Sequence, residues 1–284
     1  MSTLQPLVIY HAHCPDGFTA AWVVAGVVGE CELFPASYGY PPPYELARER
    51  AVYIVDFSYP RAQLELMHSM AASLMVLDHH KTAEADLRGL PYCVFDMNRS
   101  GAGLAWDVLR PGEPRPWLVD YVEDRDLWRF SMPNAHGVAL RIKIVPHTLA
   151  AYDALAKRTL TSILAEAFGA QLYVDHYVIE VLRNLYKLDN VDGQGSVAAC
   201  VNVPYTNVSD VLHAALKLTD LHVAIGWHMR PDKQLDCSVR SRSPYDCSVL
   251  AKQHGGGGHA QAAGFRVASD SSIAQRLMFG GATP

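Results

Sequence analysis

The stretch Leu74-Met75-Val76-Leu77-Asp78-His79-His80 decides how this chain is read. Four consecutive apolar residues make a short buried strand. Three titratable side chains follow directly at its C-terminal end. Burying such groups costs free energy unless they bind something, and in open α/β sheets ligands sit at that edge. A carboxylate beside two imidazoles is also a donor set suited to a divalent transition metal.

Working outward, two more apolar runs end in the same way. Leu7-Val8-Ile9-Tyr10 leads into His11-Ala12-His13-Cys14-Pro15-Asp16-Gly17, and Ala51-Val52-Tyr53-Ile54-Val55 leads into Asp56-Phe57-Ser58. Residues 18–28 and 61–72 carry helical patterns between these strands. The alternation predicts an α/β fold, a parallel sheet with flanking helices. In such a sheet the strand ends converge on one edge. Taken singly, an Asp after a strand is a cap or turn residue, Asp16-Gly17 a turn and His11 or His13 a solvated loop histidine. Three such clusters on one edge instead form a crowded acidic site, whose repulsion a bound dication removes. A fourth candidate, Glu123-Asp124-Arg125-Asp126, reads equally as part of this site or as a solvated helix end.

Ser100 is a plausible N-cap for a helix running to about Leu109, which Pro111, Pro114 and Pro116 then end. Residues 149–188 are mostly helical in pattern, long enough to bridge two domains. Residues 190–195, Asn-Val-Asp-Gly-Gln-Gly, read as a linker. Beyond them come strands over 197–203, 222–227 and 235–240 and helices over 209–218 and 247–253. At 284 residues the chain is long for one core. The predicted division is a larger N-terminal α/β domain, 1–189, including the helical connector, and a smaller α/β domain, 195–284.

The second domain ends its pattern with Gly255-Gly256-Gly257-Gly258-His259-Ala260-Gln261-Ala262-Ala263-Gly264-Phe265. Consecutive glycines let backbone N–H groups approach an anion, and His259 adds a charge-assisted donor. Arg240 and Arg242, at the end of a preceding strand, add guanidinium contacts. A flexible linker is the bland alternative, but a linker does not run on into a core strand. The stretch is neither a dinucleotide fingerprint nor a Walker loop.

Charge follows the same division. Residues 1–194 hold 16 Lys+Arg against 23 Asp+Glu, and residues 195–284 hold 8 against 6. The acidic part suits cations and the slightly basic part an anionic substrate. Neither has the basic excess of a long-duplex binder. No apolar stretch reaches a bilayer span, and no basic segment precedes an apolar core at the N-terminus. The six cysteines are scattered without a CxxC pair, so a reducing cytoplasm is the simplest expectation.

These motifs resemble those of the DHH phosphoesterases, in the subgroup with a C-terminal DHH-associated domain. Asp78-His79-His80 is similar to the family's signature, residues 255–265 to the closing motif of the associated domain, and Ser238-Val239-Arg240-Ser241-Arg242 to the strand before it. The resemblance covers nearly the whole chain and extends to nanoRNase, oligoribonuclease and RecJ-related members. It implies a hydrolase with two divalent cations, manganese first and magnesium or cobalt as alternatives, that activate water for attack on a phosphoester. By resemblance Asp56 bridges the metals, and His11, Asp16, His79 and Asp124 are ligands, with Asp126 the alternative to Asp124. His80 contacts the scissile phosphate and Asp78 orients it. Arg240, Gly256, Gly257, Gly258 and His259 bind substrate. Cys14 departs from the pattern, standing where the opening motif has its first aspartate, which leaves one metal site short of a carboxylate: the alternatives are that this site binds more weakly, uses Cys14 or His13, or fills only with substrate. The expected substrates are short oligonucleotides, dinucleotides or nucleotide bisphosphates. The alternatives are a RecJ-like single-strand exonuclease or exopolyphosphatase, and, in another class, a nucleotide-binding module with a degraded metal site.

Overall fold

Strand polarity in the first half follows from burial on both faces. The computed structural model describes residues 4–280, and these divide into two compact units at 171/172. The first contains β1 (Leu7–His11), α1 (Pro15–Val28), β2 (Glu32–Ala36), α2 (Tyr44–Ala47), β3 (Ala51–Val55), α3 (Arg61–Met70), β4 (Ser73–Asp78), α4 (Lys81–Leu87), β5 (Cys93–Phe95), α5 (Gly101–Leu109), α6 (Trp117–Asp126), α7 (Ala135–Lys143) and α8 (Leu149–Ala156). Helix α9 (Leu160–Leu182) spans the division.

All five strands run parallel in the order β2-β1-β3-β4-β5. Successive side chains of a strand point to opposite faces, and here both faces are apolar. Val8, Tyr10, Val55 and Leu77 join a layer with α1, α5, α6 and α8. Leu7, Ile9, Val52, Ile54 and Val76 join the opposite layer with Leu64 and Met67 of α3 and Leu87 of α4. Two strands go beyond the sequence expectation. Pro35 interrupts the pattern of β2, which tolerates it because it is an edge strand, and β5 is only three residues long. Ser100 caps α5 as expected, its hydroxyl accepting from the Gly103 N–H.

The second unit continues with β6 (Tyr186–Leu188), β7 (Ala198–Asn202), α10 (Val208–Leu218), β8 (Val223–Met229), β9 (Gln234–Ser241), α11 (Cys247–Gln253), β10 (Gly257–His259), β11 (Ala262–Ala268) and α12 (Ser272–Phe279). Its mixed sheet has the order β10-β11-β9-β8-β7-β6, with only β7 and β8 parallel. Residues 190–195 are not a linker. They close the β6–β7 hairpin, where the Asn190 side chain accepts from the Gly195 N–H and Asp192 from the Gln194 and Ser196 N–H groups. Asn, Asp and Gly serve linkers and turns alike. The three residues of β6 are too few to show alternation, so 186–188 reads as helix in the sequence and is strand in the fold. Helix α9 packs Leu160, Ile163, Leu164 and Ala167 into the first unit's core and Tyr177, Val178, Val181 and Leu182 against the second unit's. No helix among the described residues is long and apolar enough to cross a membrane.

Ile54 is fully buried on the central strand β3. Ile54→Ala should destabilise the first unit by about 2–5 kcal/mol. Tryptophan fluorescence during urea unfolding reads this directly, because Trp22, Trp106, Trp117 and Trp128 lie in that unit and only Trp227 in the other.

Candidate metal centre

The sheet order reverses between β1 and β3, the position at which open α/β sheets form a ligand crevice. His11 ends β1, Cys14 caps α1 and Asp16 lies in the first turn of α1. Asp56 follows β3 directly, Asp78 ends β4, and His80 is the N-cap of α4. The three strand ends therefore deliver their acids and histidines to one place.

His79 is the hub. Its Nε2 lies 3.1 Å from Asp56 Oδ1, 3.5 Å from Asp126 Oδ2 and 3.8 Å from Asp16 Oδ2. On the other side of Asp56, Oδ2 is approached by His11 Nδ1 at 3.4 Å. Three overlapping groups have ligand atoms within 4.8 Å of one another: His11, Cys14 and Asp56; Asp56, His79 and His80; Asp16, His79 and Asp126. His13 is exposed, in a left-handed backbone conformation, and belongs to none of them.

Asp78 has a different part. It is fully buried, and its Oδ1 lies 2.6 Å from His80 Nδ1 while also accepting from the His79 and His80 N–H groups. Its Oδ2 accepts from the Ser58 hydroxyl at 2.5 Å. A buried carboxylate so satisfied fixes the ring and tautomer of the histidine it holds. Burial opposes charge on His80, but the hydrogen bond and charge of Asp78 raise its pKa. In the sequence Ser58 is only the second residue after Asp56; its service to Asp78 is a contact across strands.

The acidic run at 123–126 forms the last turn of α6 and separates into three roles. Asp124 turns away from the cluster: its carboxylate accepts from the Ser131 N–H and hydroxyl, at 2.9 and 2.6 Å, and from the Met132 N–H at 3.4 Å. Glu123 accepts from the Ser100 N–H and pairs with Arg115 and Arg129. Asp126, rather than Asp124, faces His79. The two aspartates are two residues apart, about 200° around a helix, so one cannot stand in for the other.

Glycines admit these side chains. A Cβ on Gly17 would collide with the His11 carbonyl, one on Gly101 with Asp56 and one on Gly103 with Glu123. At the start of α5 the Gly101 and Ala102 N–H groups donate to the two oxygens of Asp16, at 2.6 and 2.9 Å. Their partial positive charge favours the anion there.

Charge is still not balanced. Asp16 and Asp126 have oxygens no more than 4.8 Å apart, and two carboxylates at that distance repel by roughly 3–4 kcal/mol at an effective dielectric constant of about 20. Burial and the charges of Asp56 and Asp126 push the Asp16 pKa well up. Burial works against charging His79, but the Asp56 hydrogen bond and the charges of Asp126 and Asp16 lift it to about 10. His79 is thus one cationic partner shared by three carboxylates. Asp56 Oδ2 is moreover buried and met by no donor with hydrogen-bond geometry. A buried, orphaned carboxylate oxygen among nitrogen, oxygen and sulfur donors is what a divalent cation would complete.

In the second unit, register rather than loop geometry groups the remaining candidates. Gly257 pairs with Gly264, His259 with Ala262, and Ala262 with Arg240. Arg240, Gly257 and His259 therefore share one sheet face with Ala262, Gly264 and Ser238. Arg240 donates to the Ser209 hydroxyl at 2.7 Å. Gly256 and Gly258 are on the opposite side, where a Cβ would collide with the Gly264 and Ala262 carbonyls respectively. The glycine run thus forms a turn and an edge strand instead of an open loop, and two of its glycines are needed for pairing. Arg242 donates to the Thr219 carbonyl.

No family model matches the sequence. A curated relative, the uncharacterized protein R106 of Acanthamoeba polyphaga mimivirus, is 24% identical over 285 residues, covering 91% of this chain, which spans 66% of that relative's length. Three solved structures share the fold at low identity. The pGpG-specific phosphodiesterase PggH of Vibrio cholerae superposes with a TM-score of 0.56 at 15% identity, covering 98% of this chain and 97% of its own. RecJ of Thermus thermophilus in complex with Mn2+ gives 0.56 at 15% identity, over 99% of this chain and 52% of RecJ. The DHH domain of a protein assigned to a ribosomal-protein family gives 0.53 at 13% identity, over 96% of this chain and 86% of its own. The chain has the fold of the DHH-family proteins.

Asp124 and Asp126 should separate experimentally. Asp126→Asn should weaken manganese binding on the order of 10- to 100-fold and leave the urea midpoint unchanged or raised, because a repelling charge is removed. Asp124→Ala should cost about 1–2 kcal/mol of stability through loss of the hydrogen bonds to Ser131 and Met132, with the smaller effect on metal affinity. Calorimetric titration with manganese and urea unfolding check both.

Proposed function

We propose that this chain is a metal-dependent DHH-type phosphoesterase that hydrolyses short oligonucleotides, dinucleotides or nucleotide bisphosphates. The observation that carries the proposal is the orphaned, buried Asp56 oxygen on a carboxylate that two of the donor groups share, with the Asp78-held His80 beside it. His11, Asp16, Asp56, His79 and Asp126 would hold two divalent cations, with manganese the first choice because RecJ, a protein of the same fold, is seen with it. Bound there, such cations supply a nucleophilic water at neutral pH and neutralise charge on phosphoryl oxygens.

The chain's own residues do the rest. Asp78 keeps the His80 ring in one orientation through Nδ1, which leaves Nε2 as the nitrogen that donates to a phosphoryl oxygen as charge develops there. Ser58 satisfies the second oxygen of Asp78, so that carboxylate stays a hydrogen-bond partner instead of becoming a ligand. In the second unit, Arg240 and His259 flank a floor of Gly257, Ala262 and Gly264, which presents no side chain larger than a methyl. This face is proposed to take a phosphate or nucleotide of the substrate through cationic and hydrogen-bonding groups. The modest positive balance of residues 195–284 favours short substrates over long polyanions.

The manganese-loaded protein should release mononucleotides from pGpG and from di- to pentaribonucleotides, with shallow salt dependence. His80→Ala should lower kcat by about 100-fold or more while manganese still binds. Absence of turnover on all of these with a filled metal site overturns the substrate claim. Processive degradation of long single strands with steep salt dependence would identify an exonuclease of the RecJ kind.

A further inference from the structure

Cys14 has an unusual environment for a helix N-cap. Asp, Asn, Ser and Thr are the residues that cap by accepting a backbone N–H; the Cys14 thiol makes no cap bond of regular geometry, although the Gly17 N–H is near enough to favour its thiolate. Its Sγ instead lies within 4.8 Å of ligand atoms of His11 and Asp56. Among the described residues Cys14 alone of the six cysteines joins such a group. Cys200, Cys237 and Cys247 are packed in the second unit's core. The second, independent observation is Asp56 Oδ2, on a residue 2% exposed, which has His11 Nδ1 3.4 Å away but no partner in regular hydrogen-bond geometry.

We infer that Cys14 is a metal ligand and that the centre is chemically asymmetric. Resting on the metal-dependent reading above, the inference assigns His11, Cys14 and Asp56 to a position of mixed N, S and O donors, and Asp16, His79 and Asp126 to one of N and O donors only. Thiolate sulfur selects zinc and cobalt over manganese and magnesium, whereas carboxylate-rich sites suit the harder ions. The first position therefore favours zinc or cobalt over manganese more strongly than the second does, while manganese can still load both. On binding, the thiol S–H bond breaks, its proton passes to solvent and a sulfur–metal bond forms. Cys14 thus replaces the missing carboxylate by changing which ion is favoured there.

Cobalt titration of the full-length protein tests this without reference to activity. The wild type should develop a near-ultraviolet thiolate-to-cobalt charge-transfer band that saturates at one equivalent, together with visible absorption from bound cobalt. Cys14→Asp should abolish the band, retain the visible absorption, and shift the manganese-to-zinc affinity ratio toward manganese by about tenfold or more, at least the effect of losing an outer partner of a ligand. One equivalent of zinc should also block alkylation of wild-type Cys14, read by peptide mass spectrometry; this measurement stands if the variant does not fold. Visible absorption without the near-ultraviolet band, or unchanged alkylation of Cys14 with zinc bound, overturns the role of Cys14 while the metal-dependent reading survives. Failure to bind cobalt, zinc or manganese at all overturns both.

Discussion

Asp16, Asp56 and Asp126 press against a single imidazole, and much of the first unit is arranged to make that tolerable. Asp16 and Asp56 are buried, and carboxylates crowded at such distances repel by a few kcal/mol for each close pair, a sizeable fraction of the stability of a domain. The fold answers with three devices. His79 sits within 3.8 Å of all three acids. The start of α5 points two N–H groups at Asp16. Glycines at 17, 101 and 103 let backbone come close enough for these contacts. What remains is a set of crowded acidic oxygens, one of them without a hydrogen-bond partner, that a cation would bind.

The parallel sheet is legible in the sequence because its strands are short and apolar on both faces, end in polar signals and alternate with helices. Asp78-His79-His80 and Asp56 can be placed at one edge from this alone. Asp126 cannot be separated from Asp124 in that way, since the choice depends on the rotation of α6 against the sheet, set by packing of Leu118, Val119 and Val122 into a distant core. The second unit is less transparent. Its glycine run has the composition of a loop, and only pairing with Gly264 and Ala262 turns part of it into a strand. The hairpin at 190–195 carries the residues of a linker for the same reason: local composition specifies a reversal of the chain but not what lies on either side.

The division of labour between Asp78 and Asp56 is a matter of solvation. Asp78 accepts from a hydroxyl, two backbone N–H groups and an imidazole, so nothing in its surroundings calls for an ion. Asp56 has one oxygen engaged by His79 and one unmet. Two buried aspartates on adjacent strands thus differ in chemistry because their neighbours donate to one and not to the other.

Asp56 also adopts a left-handed backbone conformation, φ +53°, which costs a non-glycine residue of order 1–3 kcal/mol. Its Cβ occupies the space that a side chain at Gly101 would need. A glycine at 56 would relieve the backbone and remove a buried charge, although the Asp56 Cα and an Asp16 oxygen would still crowd a side chain at 101. The centre is therefore held against a thermodynamic slope at position 56, and a copy of this chain released from any demand for activity has a route to greater stability there, at the expense of the carboxylate that two of the donor groups share.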